Sequence, residues 1–407
     1  MLARAMSRLF YGWRIVAVCL VAAMFANALG LFGAGVYLHV LVESKGWSTG
    51  AVSSSIALFY VSSALLLVPV GGIIGRAGPQ PVFAVGAAAL ASGVAAIGQV
   101  TQPWQTYVVF VVMGVGWACL STTAVATTLA PWFERHQGRA VSIASLGASV
   151  GGIVGTPILI AGVARLGFAT TTAISAVATL AAVLPLALFV MKRRPQDLGL
   201  SPDGTVDVHS APPDVAPSWS RRSALRTAAL RSVMLGFAIG MMMQVGFITH
   251  QVTLLSPSLG AAGTSLTVSA TAITALLGRL MLARFADQMS ARLTASIMMM
   301  LAAAALTMQA LFPVPTVLIM GSVLMGLTVG NVTTLAPIIV RREFGPASFG
   351  ALYGIASCVI QLGMGLGPGF YGLLHDAFGS YRMPLLLAAV ADLVAALVVF
   401  AGRQSRR

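Results

Sequence analysis

Three ionisable side chains stand deep inside long apolar runs of this sequence, and their chemistry is the first clue to function. Arg279 is a permanently charged guanidinium that can hold a carboxylate through two parallel hydrogen bonds. A cation at membrane depth is costly, so it marks a functional site by default. The plainer reading is an arginine that snorkels to the surface, or that pairs with Asp392 or a helix C-terminus. His250, beside Gln251, carries an imidazole able to take and release a proton between about pH 5 and 8. Its plainer reading is a neutral ring donating to a backbone carbonyl near Gly246 or Pro257. Asp392 is the only acid deep in such a run and is expected to be protonated or paired, in a structural role.

Neutral polar residues extend the candidate set. Asn331 follows Gly330 and precedes Thr333 and Thr334, a cluster suited either to a central cavity or to hydrogen bonds between helices. Tyr353 and Gln361 in one run, and Asn27 and Tyr37 in another, share that choice; Asn27 and Gln361 are the better cavity candidates, because amides are costly against lipid. The runs Met241 to Met243 and Met298 to Met300 point to three helix faces each, which suits packing rather than metal conduction. Cys19, Cys119 and Cys358 lie in apolar runs without CxxC spacing, so no disulfide framework or zinc site is expected. The glycine stretches at 147–157 and 363–369 have small-xxx-small spacing for close helix approach and contain no GxxxxGK[ST] motif. One Arg, one His and one Asp on separate runs supply no paired acids, metal ligands or nucleophile dyad. Neither an enzyme nor a cofactor is therefore expected.

The elements that position these residues follow from composition. Of 407 residues, 58% are hydrophobic and only 8% charged, against about 25% charged in a soluble domain. A spanning helix needs about 20 mostly apolar residues, and hydrocarbon leaves backbone groups no partner outside a helix. The runs predict an all-α membrane protein with spans near 13–41, 50–74, 80–100, 104–130, 138–163 and 168–191, then 230–256, 264–286, 292–312, 315–339, 347–374 and 381–402. This gives a six-helix bundle over 1–191, a hydrophilic linker over 192–229 rich in Pro, Asp and Arg, and a second six-helix bundle over 230–407. With both termini in the cytoplasm, twenty of the 24 Lys and Arg fall on the cytoplasmic side, as the positive-inside rule requires. That bias accounts for the net charge of +14 without any nucleic-acid partner. The segments GGIIGRAGPQ (71–80) and GRLMLARFADQMSAR (278–292) place glycine and charge at equivalent turns, as expected of duplicated halves.

Several stretches resemble the major facilitator superfamily and, within it, the bacterial monocarboxylate and oxalate:formate branch. They are YGWRIVAV (11–18), PWFERHQGRAVSIASLGASVGG (131–152), THQVTLLSPSLG (249–260) with the segment 278–292, and FGALYGIASCVIQLGMGLGPGFYGLLHDAFGSY (349–381). The resemblance implies a twelve-helix major facilitator fold in a bacterial inner membrane, a monomer that carries a small organic anion with a proton by alternating access. It gives Arg279 a matching place for substrate, and Arg76, Arg284 and Asp287 a place in the gates, while the proton is expected on His250 from its imidazole chemistry. Departures are visible. Gly75 stands where the first gating loop usually carries Asp, Ala275 replaces an acid one turn before Arg279, and no Lys occupies the eleventh span. A dicarboxylate site lined by two cations is therefore not expected, and a carrier for a larger amphipathic or uncharged solute is the alternative.

Overall fold

The computed structural model describes residues 10–134, 136–193, 195–198, 202–204, 219–285 and 290–402, and every regular element among them is helical. Before the linker run α1 (Gly12–Lys45), α2 (Thr49–Ala77), α3 (Pro79–Ile97), α4 (Pro103–Leu129), α5 (Gln137–Leu166) and α6 (Phe168–Val190). After it come the short α7 (Arg221–Leu225), then α8 (Ala228–Phe285), α9 (Ala291–Leu311), α10 (Pro315–Phe344), α11 (Pro346–Phe378) and α12 (Arg382–Ala401).

At 58 residues α8 would be about 87 Å long if straight, nearly three bilayer cores. It is instead two crossings. Gly260 adopts φ 62°, ψ −179°, a backbone shape that L side chains resist, and the chain reverses there. Gln251 Nε2 consequently donates to Thr271 Oγ1 at 2.8 Å, a contact that a straight helix could not make between residues twenty positions apart. The described residues thus hold twelve crossing segments, six on each side of the linker, and the large apolar side chains on their outer faces match a lipid surround. Phe189, Leu266 and Leu397 are 78%, 73% and 68% exposed, a display that water would penalise.

The chain forms two compact units. The first comprises Met1–Ala34 and Ser62–Pro212, the second Gly35–Val61 and Pro213–Arg407, so the later part of α1 and the earlier part of α2 pack with the helices that follow the linker.

Within each unit, glycines let two helices meet at backbone distance. In the first, Gly147, Gly151 and Gly155 of α5 lie on α1: a Cβ on Gly147 would strike the Leu20 carbonyl, and one on Gly151 would sit 2.5 Å from the Met24 carbonyl. Both helices widen here into π turns, over Asn27–Leu31 and Gly151–Gly155. In the second, Gly363 and Gly367 of α11 lie on the first limb of α8, against the carbonyls of Ala238 and Met242. A side chain in either seam meets backbone, which cannot swing away. Gly147→Val and Gly367→Val are each expected to cost about 1–3 kcal/mol or more and to lower the unfolding temperature of the detergent-purified protein. Gly72→Ala, where an added Cβ meets nothing within 4 Å, should leave it unchanged or raised. Equal behaviour of the three variants would refute the seam assignment.

The linker's described parts dock locally. In the first unit, Asp203 Oδ2 accepts the Glu134 N–H at 3.1 Å, Oδ1 accepts the His136 N–H at 3.3 Å, and the Asp203 N–H donates to the Trp132 carbonyl at 2.9 Å. In the second unit, the Trp219 N–H donates to Ser348 Oγ at 2.7 Å and its ring meets Phe344 edge-on.

Candidate functional site

Arg279 lies on the second limb of α8, half-buried, in a stretch (261–282) with no other charged residue. Its position is set by a close crossing of α8 on α10. A Cβ on Gly330 would strike the Ala275 carbonyl, and one on Gly278 would lie 3.1 Å from Asn331 Nδ2. Asn331 is therefore brought next to the guanidinium's own turn. Its Nδ2 donates to the Leu327 carbonyl at 3.0 Å and reaches Met298 Sδ at 3.4 Å, while its buried Oδ1 has no hydrogen-bond partner among the described residues. A pairing of Arg279 with Asp392 does not form, since neither Asp392 oxygen accepts a hydrogen bond from any described residue.

His250 sits elsewhere, on the first limb of α8. Thr271 pairs with its neighbour Gln251, and Arg279 is eight residues past Thr271, so the two groups stand about 12 Å apart along the helices. The ring is only 2% exposed and every polar atom on it is engaged. Nε2 lies 3.0 Å from the Pro368 carbonyl and 3.2 Å from Ser53 Oγ, and Nδ1 lies 2.9 Å from Tyr381 Oη. A carbonyl only accepts, so Nε2 carries the hydrogen and Nδ1 accepts from the phenol. Burial pushes the Tyr381 phenol's pKa up, which keeps that donor protonated. The ring also stacks on Tyr371 at 5.7 Å between centroids. Nearby, Asp376 Oδ2 accepts the Gly50 N–H at 2.8 Å and Oδ1 faces His375 Nδ1 at 3.6 Å. These contacts fasten the start of α2 (Gly50, Ser53) to α8, α11 and the residue before α12.

The remaining candidates are dispersed. Tyr353 and Gln361 lie two turns apart on α11, both half-buried, with Tyr353 stacked on Phe349 at 5.4 Å. Asn27, in the first unit, opens the π turn of α1 and bonds its own helix at the Ala23 carbonyl, 2.8 Å. Arg76 is exposed in the last turn of α2, beside a groove lined by Ile74, Gly75, Thr127, Trp132 and Arg193. Asp287 and the side chain of Arg284 lie outside the described residues.

Sequence reasoning missed one polar centre entirely. Arg292 at the start of α9 is 5% exposed and uses its whole donor fork: Nε and Nη2 grip Glu343 at 2.6 and 2.8 Å, Nη1 reaches Ser232 Oγ at 2.9 Å and the Val399 carbonyl at 2.7 Å, and Nη2 also reaches the Ala229 carbonyl at 2.9 Å. It ties α8, α9, α10 and α12 together at their linker-side ends. Its signal in the sequence was only that of another cation flanking a span.

Comparison with known proteins places this architecture. A bacterial homologue of the human lysosomal transporter Spinster, in an inward-facing and unoccupied conformation, superposes with TM-score 0.71 at 14% identity, over 97% of this chain and 96% of that one. The nucleoside transporter NupG gives TM-score 0.72 at 14% identity over 97% and 100%. At such identity the likeness is one of fold. An uncharacterised MFS-type transporter of Bacillus subtilis (strain 168), YcxA, is 25% identical over 145 residues, about a third of either chain (35% and 36%). The model of the Major Facilitator Superfamily matches residues 20–267 and 250–407. With twelve apolar crossings and a family match over nearly its whole length, this chain belongs to the major facilitator superfamily and is a multi-pass membrane transporter, not an enzyme.

Proposed function

We infer that the chain moves a small organic anion, a monocarboxylate such as lactate or pyruvate, across a bacterial inner membrane together with a proton, with both termini cytoplasmic. One observation carries this reading: Arg279, the only charged residue in 261–282, stands at a backbone-close helix crossing with the buried amide of Asn331 beside it. A guanidinium offers the planar fork that a carboxylate requires, and alternating access of the two halves would bring that anion through. Gln361, Tyr353 and Asn27 are further candidates to line its path.

His250 is assigned the proton. As a neutral ring it satisfies Tyr381, Pro368 and Ser53 at once. A second ring proton would turn the Nδ1 acceptor into a donor and bury a charge in a closed cluster. Protonation is thus tied to release of the cluster that holds the start of α2, which is how a proton could bias a gate. Arg76, Arg284 and Asp287 are proposed for the gate at the linker side.

The test is uptake of radiolabelled lactate or pyruvate into proteoliposomes with and without an outside-acid gradient. The expected result is accumulation driven by the gradient and abolished by a protonophore. In His250→Gln the gradient-driven excess should disappear. No carboxylate uptake, with transport of a nucleoside or an amphipathic solute instead, would replace this reading with the larger-solute carrier. A wild-type gradient response in His250→Gln would remove the histidine from the coupling.

A further inference from the structure

Of the buried polar atoms in the second unit that make no hydrogen bond to the described residues, five belong to three residues on three helices: both oxygens of Asp392 on α12, both amide atoms of Gln244 on α8, and the phenol oxygen of Tyr371 on α11. All three side chains are 0% exposed. They are neighbours. Asp392 Oδ1 lies 3.9 Å from where a Cβ on Gly240 would stand, and Gln244 is one helical turn beyond Gly240 on the same limb. Tyr371 also packs with Met243, Leu385, Ala388 and Ala389 in one buried cluster, and Asp392 continues the buried face of α12 one turn further.

Buried polar groups in native proteins are nearly always paired, and a buried carboxylate without a counter-charge is expensive enough that the group holds a proton instead. Among the described residues the contacts around Asp392 supply no counter-charge. On α8, Gln244 stands one turn from Gly240, and on α9 the Ser296 hydroxyl is already donated to the Ala396 carbonyl. Arg292 is seven residues from Asp392 at the Val399 carbonyl, about 10 Å along α12, and is committed to Glu343. From α11 the facing group is Tyr371, whose ring stacks on His250.

We propose that Asp392, with Tyr371 and Gln244, is a proton-binding site of the second unit. This rests on the proton-coupled reading above and adds to it a place where a proton is held while the His250 cluster stays closed.

The experiment uses the full-length purified protein and needs no substrate. A hydrophobic carbodiimide modifies carboxyls that are protonated and out of water, and mass spectrometry locates the adduct. Adduct on Asp392 is expected at about neutral pH, falling about tenfold for each pH unit above its midpoint. The infrared carbonyl band of a protonated acid should shift in D2O and vanish in Asp392→Asn, a neutral isostere. Should that variant fail to fold, the wild-type labelling profile decides alone. Labelling absent at every pH, or invariant between about pH 5 and 9, would make Asp392 a fixed structural group and overturn the proposal; so would protection by sodium at constant pH, the signature of a metal-cation site. Loss of the carrier reading alone would appear as absent lactate uptake with this labelling profile intact.

Discussion

Arg279→Ala is expected to lower kcat/KM for monocarboxylate exchange at least a hundredfold in proteoliposomes, with the folded fraction unchanged. A charge-assisted hydrogen bond contributes about 1.5–3 kcal/mol, so loss of both arms of a fork removes about 3–6 kcal/mol. Each 1.4 kcal/mol is about tenfold, which sets the hundredfold floor. Arg279→Lys restores the charge but not the planar pair of donors, so it should recover only part of the activity and mainly in KM. Asn331→Ala should cost less, about tenfold, since its Nδ2 is already donated to the Leu327 carbonyl and the amide shapes the site rather than gripping the anion. The close packing of α8 on α10 runs through Gly278 and Gly330, which Arg279→Ala leaves in place. Wild-type exchange in a folded Arg279→Ala protein would leave a carrier with no assigned anion site.

Much of the architecture was legible because lipid imposes a simple rule. Apolar length fixed the crossings to within a few residues: the span expected at 168–191 is Phe168–Val190, and that at 381–402 is Arg382–Ala401. The glycine spacing in 147–157 and 363–369 forecast the two close seams, since only a missing Cβ permits them. Where a break was expected near Pro257, the helix continues through the proline and reverses at Gly260, because a proline only removes one hydrogen bond whereas a positive φ turns the chain. Helix ends were harder. The crossing expected to stop at 339 runs on to Phe344, where α10 carries Glu343 to its partner.

The site was less legible, for a physical reason. A hydropathy run says that a polar group is buried but not which distant group it faces. His250 was read with Gly246 and Pro257 as neighbours in sequence, yet its carbonyl partner is Pro368 and its phenol partner Tyr381, more than a hundred residues away. Asp392 was read as structural because its helix is the last. Its burial beside Gln244 and Tyr371 is visible only once α8, α11 and α12 are packed. The π turn at Asn27 has no sequence signal beyond small residues, and it turns the amide back on its own helix.

Arg292 gives the largest effect expected on stability. Its guanidinium makes five hydrogen bonds to Glu343, Ser232 and the carbonyls of Val399 and Ala229, which leaves no donor unmatched in a nearly closed site. Removing one partner of a buried pair strands the other, at a cost of about 3–5 kcal/mol. Arg292→Leu should therefore lower the thermal midpoint of the purified protein sharply, by leaving the Glu343 carboxylate and two carbonyls unpaired. The double variant Arg292→Leu with Glu343→Leu removes both charges and should recover part of the loss, because no ion is then left without a partner. A purely electrostatic surface contact predicts a different pattern: each single change would cost less than about 1 kcal/mol, and high salt would erase it. Because the cluster joins α8, α9, α10 and α12 at one end and touches neither Arg279 nor His250, a stable double variant should keep the substrate affinity of the native protein. A shift in KM with intact folding would show that this end of the unit also takes part in transport.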